Sequence, residues 1–352
     1  MAAQRLIALD GLRGVAAIAV LMSHAQLVAL HGYLAVDLFF NISGYVIAAS
    51  YEPRLQTKQL RFWRFMQLRL VRLYPMLLLG SLTGIGATLI GWQAAAFTSE
   101  TSWAAAIAVQ LLLLIGALGT SVLLPFNNPH WSIVWEVLAN AGHAAGLSRA
   151  RDRTLIALAG ASAVGLVLCA ATYGGLAPGW STSTLLWGLP RVGFGYCAGV
   201  LLYRTRARWL AIVPSVSFTV PALLLFTLLS APIGAGGYRW LWPIYDLALV
   251  LLVFVPLVML TIKARGGAVA AALGTLSYPL YALHEPLIAP LVERGAGVPL
   301  KLAAGLGMTA LAWGVGRMID EPFNRWSRRL VSPAGPRRSE SAQPAGAGVL
   351  SL

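Results

Sequence analysis

Two titratable residues in one apolar stretch, Arg13 and His24, are the first candidates for chemistry in this sequence. The stretch Leu9-Asp10-Gly11-Leu12-Arg13-Gly14-Val15-Ala16-Ala17-Ile18-Ala19-Val20-Leu21-Met22-Ser23-His24 reads as a helix. Ionisable groups inside a membrane-spanning segment are expensive to insert and point to function. At about 100° per residue the two side chains return to within roughly 20° of each other, so they share a face. A rise of about 1.5 Å per residue sets them roughly 16 Å apart, about half the hydrocarbon thickness. An imidazole at that depth suits acid–base chemistry or proton movement. The plain alternative is an arginine snorkelling to the headgroups beside a hydrogen-bonded core histidine.

Other polar residues recur at helical spacing. Asp37, Asn41 and Gly44 fall at i, i+4 and i+7 of the next apolar run, one helix face with a close-approach glycine. The short turn through His31 and Gly32 makes the first two spans antiparallel, which places Asp37 near the depth of His24. A carboxylate there fixes the imidazole tautomer and raises its basicity; the alternative is a helix cap. Ser277, Tyr281 and His284 form a similar face late in the chain. His24, Asp37 and His284 are all expected at one depth, which favours acid–base chemistry or proton movement.

The segment from Glu52 to Tyr74 holds Arg54, Lys58, Arg61, Arg64, Arg69 and Arg72. On a helical wheel Arg61, Arg64, Arg69 and Arg72 take one side and Trp63, Met66, Leu70 and Leu73 the other, the pattern of an interfacial amphipathic helix. Such a helix binds anionic lipid, or its guanidinium groups hold the phosphates of a cytosolic donor.

The elements that must position these residues are membrane helices. Of 352 residues, 58% are hydrophobic and only 11% charged, where soluble domains average about 25% charged. Mean hydropathy is +0.73. The net charge of +14 sits mostly in short loops, so it reads as topology and not as a nucleic-acid surface. Cys169 and Cys197 lie in apolar runs without metal-ligand spacing, so no disulfide framework and no metal site is expected. The N-terminus makes a poor signal peptide and a plausible first span.

The fold expected is an all-α polytopic membrane protein with ten spans, at about 6–30, 34–50, 75–91, 103–124, 154–173, 182–203, 210–230, 242–262, 268–290 and 298–318. The segment 131–147 is expected to re-enter, because a full crossing would carry Arg149, Arg151 and Arg153 outside. Both termini then lie in the cytoplasm. One membrane domain covers 1–330, and a disordered cytoplasmic tail rich in Pro, Gly, Ala and Ser covers 331–352.

Six motifs in order resemble the membrane-bound acyltransferase-3 family of bacterial sugar O-acyltransferases. They are Leu-Asp-Gly-Leu-Arg-Gly with Arg13 and His24; Val36-Asp37-Leu38-Phe39-Phe40 with Ser43-Gly44-Tyr45; Arg69-Leu70-Val71-Arg72-Leu73-Tyr74-Pro75; Trp131-Ser132 with Glu136; Ser277-Tyr278 with Tyr281 and His284; and Glu321-Pro322-Phe323. The chain departs from the family pattern after Glu136, where Val137-Leu138-Ala139-Asn140 replaces a further acid and aromatic pair, and at Asn41, which replaces an apolar residue.

The resemblance implies a multi-pass protein of the bacterial cytoplasmic (inner) membrane that moves an acyl group, usually acetyl, from cytosolic acyl-CoA to a hydroxyl of an extracytoplasmic or lipid-linked carbohydrate. On this reading His24, Arg13 and Asp37 are catalytic, and Arg69 and Arg72 bind the donor. Ser43, Trp131, Ser132, Glu136, Tyr281, His284 and Glu321 support the site or bind the acceptor. The expected partners are acetyl-CoA or another acyl-CoA, a glycan or lipid-linked sugar, and the bilayer. No appended hydrolase-like domain is expected, so a partner or this domain alone is expected to handle the acceptor. The competing reading is a proton-coupled transporter or flippase that uses the same charges as a pathway, although paired repeats are not evident.

Overall fold

The computed structural model describes residues 2–331 apart from 29, 98–100 and 119–120, with side chains from residue 7 to residue 326. The expected tail at 331–352 lies, after its first residue, outside the described residues, as do the side chains of Arg328 and Arg329. The described chain is helical: α1 Ala2–His24, α2 Ala35–Gln56, α3 Phe62–Leu89, α4 Trp103–Leu112, α5 Trp131–Ala145, α6 Asp152–Tyr173, α7 Gly188–Arg204, α8 Arg206–Trp209, α9 Thr219–Ser230, α10 Leu241–Ala248, α11 Phe254–Lys263, α12 Ala268–Glu293, α13 Val298–Val315 and α14 Glu321–Val331. A π turn, Leu249–Val253, joins α10 to α11, and a second, Gly316–Asp320, joins α13 to α14.

Seven segments among the described residues are long and apolar enough to cross a membrane. They contain α1, α2, α3, α6, α7, α10 with α11, and α13 with α14. At 26 residues, α12 is about 39 Å long and exceeds the hydrocarbon thickness. Ser277, Tyr278, Tyr281, His284, Glu285 and three prolines interrupt its apolar sequence.

Several expected boundaries move. The helices at 103–124 and 210–230 have only 10 and 12 residues, about 15 and 18 Å, too short to span alone. Leu113 in the left-handed region (φ 56°) stops α4. An extended connection through Pro214, tied by Arg265 N–H to the Val216 carbonyl, delays the start of α9. The first helix stops at His24, short of the expected residue 30. With 15 residues, about 22 Å, α5 is also shorter than the hydrocarbon thickness.

The separate amphipathic helix is corrected most. Residues 62–89 form one continuous helix through Pro75, and each expected face is split: Met66 and Leu73 are buried and Arg61 and Arg64 exposed, as expected, but the other members are not. Trp63 and Leu70 are exposed, 77% and 44%, whereas Arg69 and Arg72 turn inward to carboxylates. The wheel separated the residues but could not tell lipid from protein on either side.

Two parallel helix pairs organise the interior. Helix α1 lies along α12, where a Cβ on Gly14 would strike the Leu273 carbonyl and one on Gly274 would strike Asp10. Helix α2 lies along α7, where side chains at Gly44 and Gly199 would strike the Tyr196 and Asn41 carbonyls. Small residues at such seams let membrane helices approach closely. Each seam sets the register of a polar pair further along: His24 with His284, and Asp37 with Arg191.

Candidate active site

Adjoining cavities follow the shared face of Arg13 and His24. At one end a cavity of about 400 Å³ is lined by Asp10, Arg13, Arg72, Tyr278, Asp320, Glu321 and Arg325. Arg13, Ser277 and Tyr278 also border a constriction of about 30 Å³, whose wall includes Phe39, Ser132, Glu136 and Tyr281. Tyr281 and Val36 pass from this constriction into a third cavity, of about 380 Å³, which contains His24, Tyr33, Trp131, Arg191 and Glu285. The Ser277–Tyr281 face of α12 thus runs beside the file, and His284 follows it behind His24.

His24 meets another imidazole and not Asp37. Its Nδ1 lies 3.3 Å from His284 Nε2. His284 Nδ1 is 2.9 Å from the Tyr281 carbonyl and 3.2 Å from that of Leu280. Carbonyls only accept, so His284 Nδ1 carries a proton and donates it. With His284 neutral, its Nε2 keeps a lone pair and accepts from His24 Nδ1–H. His24 Nε2 is then the unprotonated nitrogen, and no protein partner is found for it among the described residues. Two backbone carbonyls, through one ring, assign the tautomer of the other.

Asp37 is held by Arg191, a residue that the sequence reading did not single out. The guanidinium donates from Nη2 to Asp37 Oδ2 at 2.6 Å and from Nε to both carboxylate oxygens at 3.1 and 3.2 Å. Its other N–H groups reach the Tyr33, Ala177 and Pro178 carbonyls. All five donors therefore have acceptors. Both partners are buried, 1% and 0% exposed, and the guanidinium lies 5.5 Å from the centre of the Trp131 ring. The expected Asp37–His24 contact is replaced because α2 packs on α7 while α1 packs on α12.

The arginines of α3 divide between two places. Arg69 donates to Glu136 Oε1 at 3.2 Å, and Ser43 Oγ donates to the same oxygen at 2.7 Å. Arg69 is therefore a partner of the constriction wall and does not line the Arg13 cavity with Arg72. Arg72 does line that cavity, pairs with Asp320 at 3.0 Å and lies over the Tyr278 ring. Asp320 ends a π turn and Glu321 follows it; Glu321 Oε1 accepts from Thr275 at 2.6 Å. Such turns concentrate at functional positions. No hydrogen bond or ion pair to Arg13 is found among the described residues.

The remaining expected residues sit in the wall between the larger cavities. Ser132 Oγ and Tyr281 OH are 2.7 Å apart, and both reach the Pro129 carbonyl. Trp131 faces the third cavity. Beyond it, Asp246 joins His31 at 2.8 Å and accepts from Tyr33 OH and Leu176 N–H. Arg191, Asp246 and Glu285 were missed, although each is a lone charge in an apolar run and hence a signal in itself. No group of three or more His, Cys, Asp or Glu side chains able to hold a metal is found among the described residues.

A family model described as an acyltransferase domain matches residues 6–316. Among curated proteins, Protein 2 in picA locus of Rhizobium radiobacter is 29% identical over 185 residues, covering 48% of this chain and 97% of that protein. No solved structure matches.

Proposed function

From the premise that this chain belongs to the acyltransferase-3 family, we propose that it is a membrane-bound O-acyltransferase of the bacterial cytoplasmic membrane. It transfers an acyl group, acetyl first among candidates, from cytosolic acyl-CoA to a carbohydrate hydroxyl. The observation that carries this reading is the pairing of His24 with His284, which leaves a proton-accepting Nε2 on a ring that lines a cavity.

The donor enters at the Arg13 end, which is the cytoplasmic end in this reading. Arg72 and Arg325 stand at that cavity with Arg13, whose guanidinium has no carboxylate partner among the described residues. Guanidinium groups suit nucleotide phosphates. The pantetheine arm passes the constriction between Phe39, Tyr278 and Tyr281, which must widen to admit it. The thioester then reaches the cavity of His24.

There His24 Nε2 takes the acceptor hydroxyl proton while the oxygen attacks the thioester carbonyl carbon. The C–S bond breaks as the new C–O bond completes, and the imidazolium proton passes to the departing thiolate. Protons balance without an outside base. Acyl-His24 formation on the same nitrogen remains the alternative order, distinguished by a trapped acyl-enzyme on donor alone.

The test is transfer from labelled acetyl-CoA in membranes containing wild type or His24→Ala, followed by mass analysis of glycan and lipid fractions. Label entering a glycan or lipid fraction only with wild type is expected. Solute flux without transfer, when donor and acceptor are both supplied, overturns the proposal in favour of a transporter.

A further inference from the structure

The cavity that holds His24 has a second unspent group. Glu285, next to His284 on α12, lines that cavity, yet no hydrogen bond to its carboxyl is found among the described residues, and Oε2 is buried from solvent. The other titratable wall residues are committed. Tyr33 donates to Asp246, Tyr281 is tied to Ser132 and Pro129, and every Arg191 donor has an acceptor. A buried polar atom without a partner costs free energy comparable to a lost hydrogen bond. A ligand that satisfies it recovers that cost on binding.

The charge of the wall narrows the ligand. The Arg191 guanidinium is neutralised by the Asp37 carboxylate, so it offers nothing further to an anion. When ionised, Glu285 is therefore the uncompensated charge at this end, and a hydroxyl that donates to it offsets the burial of that charge. In the cavity shared with the nitrogen that removes a hydroxyl proton, a carboxylate can accept from a second hydroxyl of the same molecule.

We propose that Glu285 selects the acceptor. Its carboxylate accepts a hydrogen bond from a hydroxyl near the one presented to His24, and it admits uncharged polyhydroxy rings while repelling rings that carry a carboxylate. This rests on the acyltransfer reading above. It differs from a packing role because packing has no reason to depend on the charge of the acceptor.

The experiment compares methyl β-D-glucopyranoside with methyl β-D-glucuronide as acceptors of labelled acetyl. The full-length protein is used in detergent micelles, with both faces open. Like charges brought together in a desolvated site are strongly disfavoured, so wild type is expected to prefer the neutral glycoside by about tenfold or more. Glu285→Gln, nearly isosteric, is expected to bring the ratio to within about twofold, and Glu285→Lys to reverse it. A neutral-to-anionic ratio unchanged in both variants, with transfer still dependent on His24, overturns the role of Glu285 and leaves the acyltransferase standing. Transfer equal in wild type and His24→Ala overturns the reading beneath it instead.

Discussion

The two cavities at the ends of the file spend their hydrogen-bonding capacity differently. At the Arg13 end, Arg72 uses one guanidinium nitrogen on Asp320 and remains 35% exposed along its side chain, and Arg13 has no carboxylate partner among the described residues. At the His24 end the arginine is spent: Arg191 is buried and every donor is used. Arg191 is neutralised by Asp37 and has no donor to spare, so it belongs to the wall. Spare guanidinium donors suit an anionic ligand at the first cavity. The spare groups of the second, an imidazole nitrogen and a carboxylate, suit hydroxyls.

The comparison can be broken most sharply at His24. His24→Ala is expected to reduce acyl transfer by about 10³-fold or more, within the range of a general acid–base residue, while the protein still inserts and purifies as a monodisperse species. Transfer assays with size-exclusion profiles check both halves, and retained turnover removes His24 from the chemistry.

Arg191 is expected to act on folding. Arg191→Met leaves the Asp37 carboxylate buried alone, at about 3–5 kcal/mol, so the variant should lose yield and melt early in a thermal-shift assay. Adding Asp37→Leu should restore much of the melting temperature, because replacing both members of a buried pair costs far less than removing one. If Arg191→Met instead folds normally but fails to bind donor, the arginine is a ligand and the contrast between the cavities disappears.

His284 should have an intermediate effect. His284→Leu removes the acceptor of His24 Nδ1–H and should lower kcat by about 10- to 100-fold, as residues that orient a functional imidazole do. His284→Gln keeps a side-chain acceptor and should recover part of that loss. Equal loss in both variants assigns the pair to packing.

The smallest expected effect is at the Arg13 end. Arg72→Ala should raise the KM for acetyl-CoA by about 10-fold, the size of one charge-assisted hydrogen bond. It should leave S-acetylpantetheine, which lacks the nucleotide phosphates, nearly unaffected. An equal change for both donors moves phosphate recognition elsewhere.

Much of the site was legible in the chain because helical periodicity is local. Arg13 and His24 share a face through the geometry of one helix, and both border the file of cavities. Ser277 and Tyr281 line it and His284 continues their face for the same reason. The inward turn of Arg69 and Arg72 on α3 was not legible in this way. Arg69 and Trp63 differ in which side meets lipid and which meets Glu136, and the partner lies 67 residues from Arg69.

By itself the sequence determined that this is a membrane chain, where several of its long helices lie, which family it belongs to, and that Arg13 and His24 face one way. Each of these follows from composition, motif order or spacing within one helix. The tertiary structure decided the partners: His284 for His24 across 260 positions, Arg191 for Asp37 across 154, and Glu136 for Arg69. Those choices depend on which glycine seams let which helices approach. A seam between helices far apart in the chain leaves no periodicity along it for a single sequence to display.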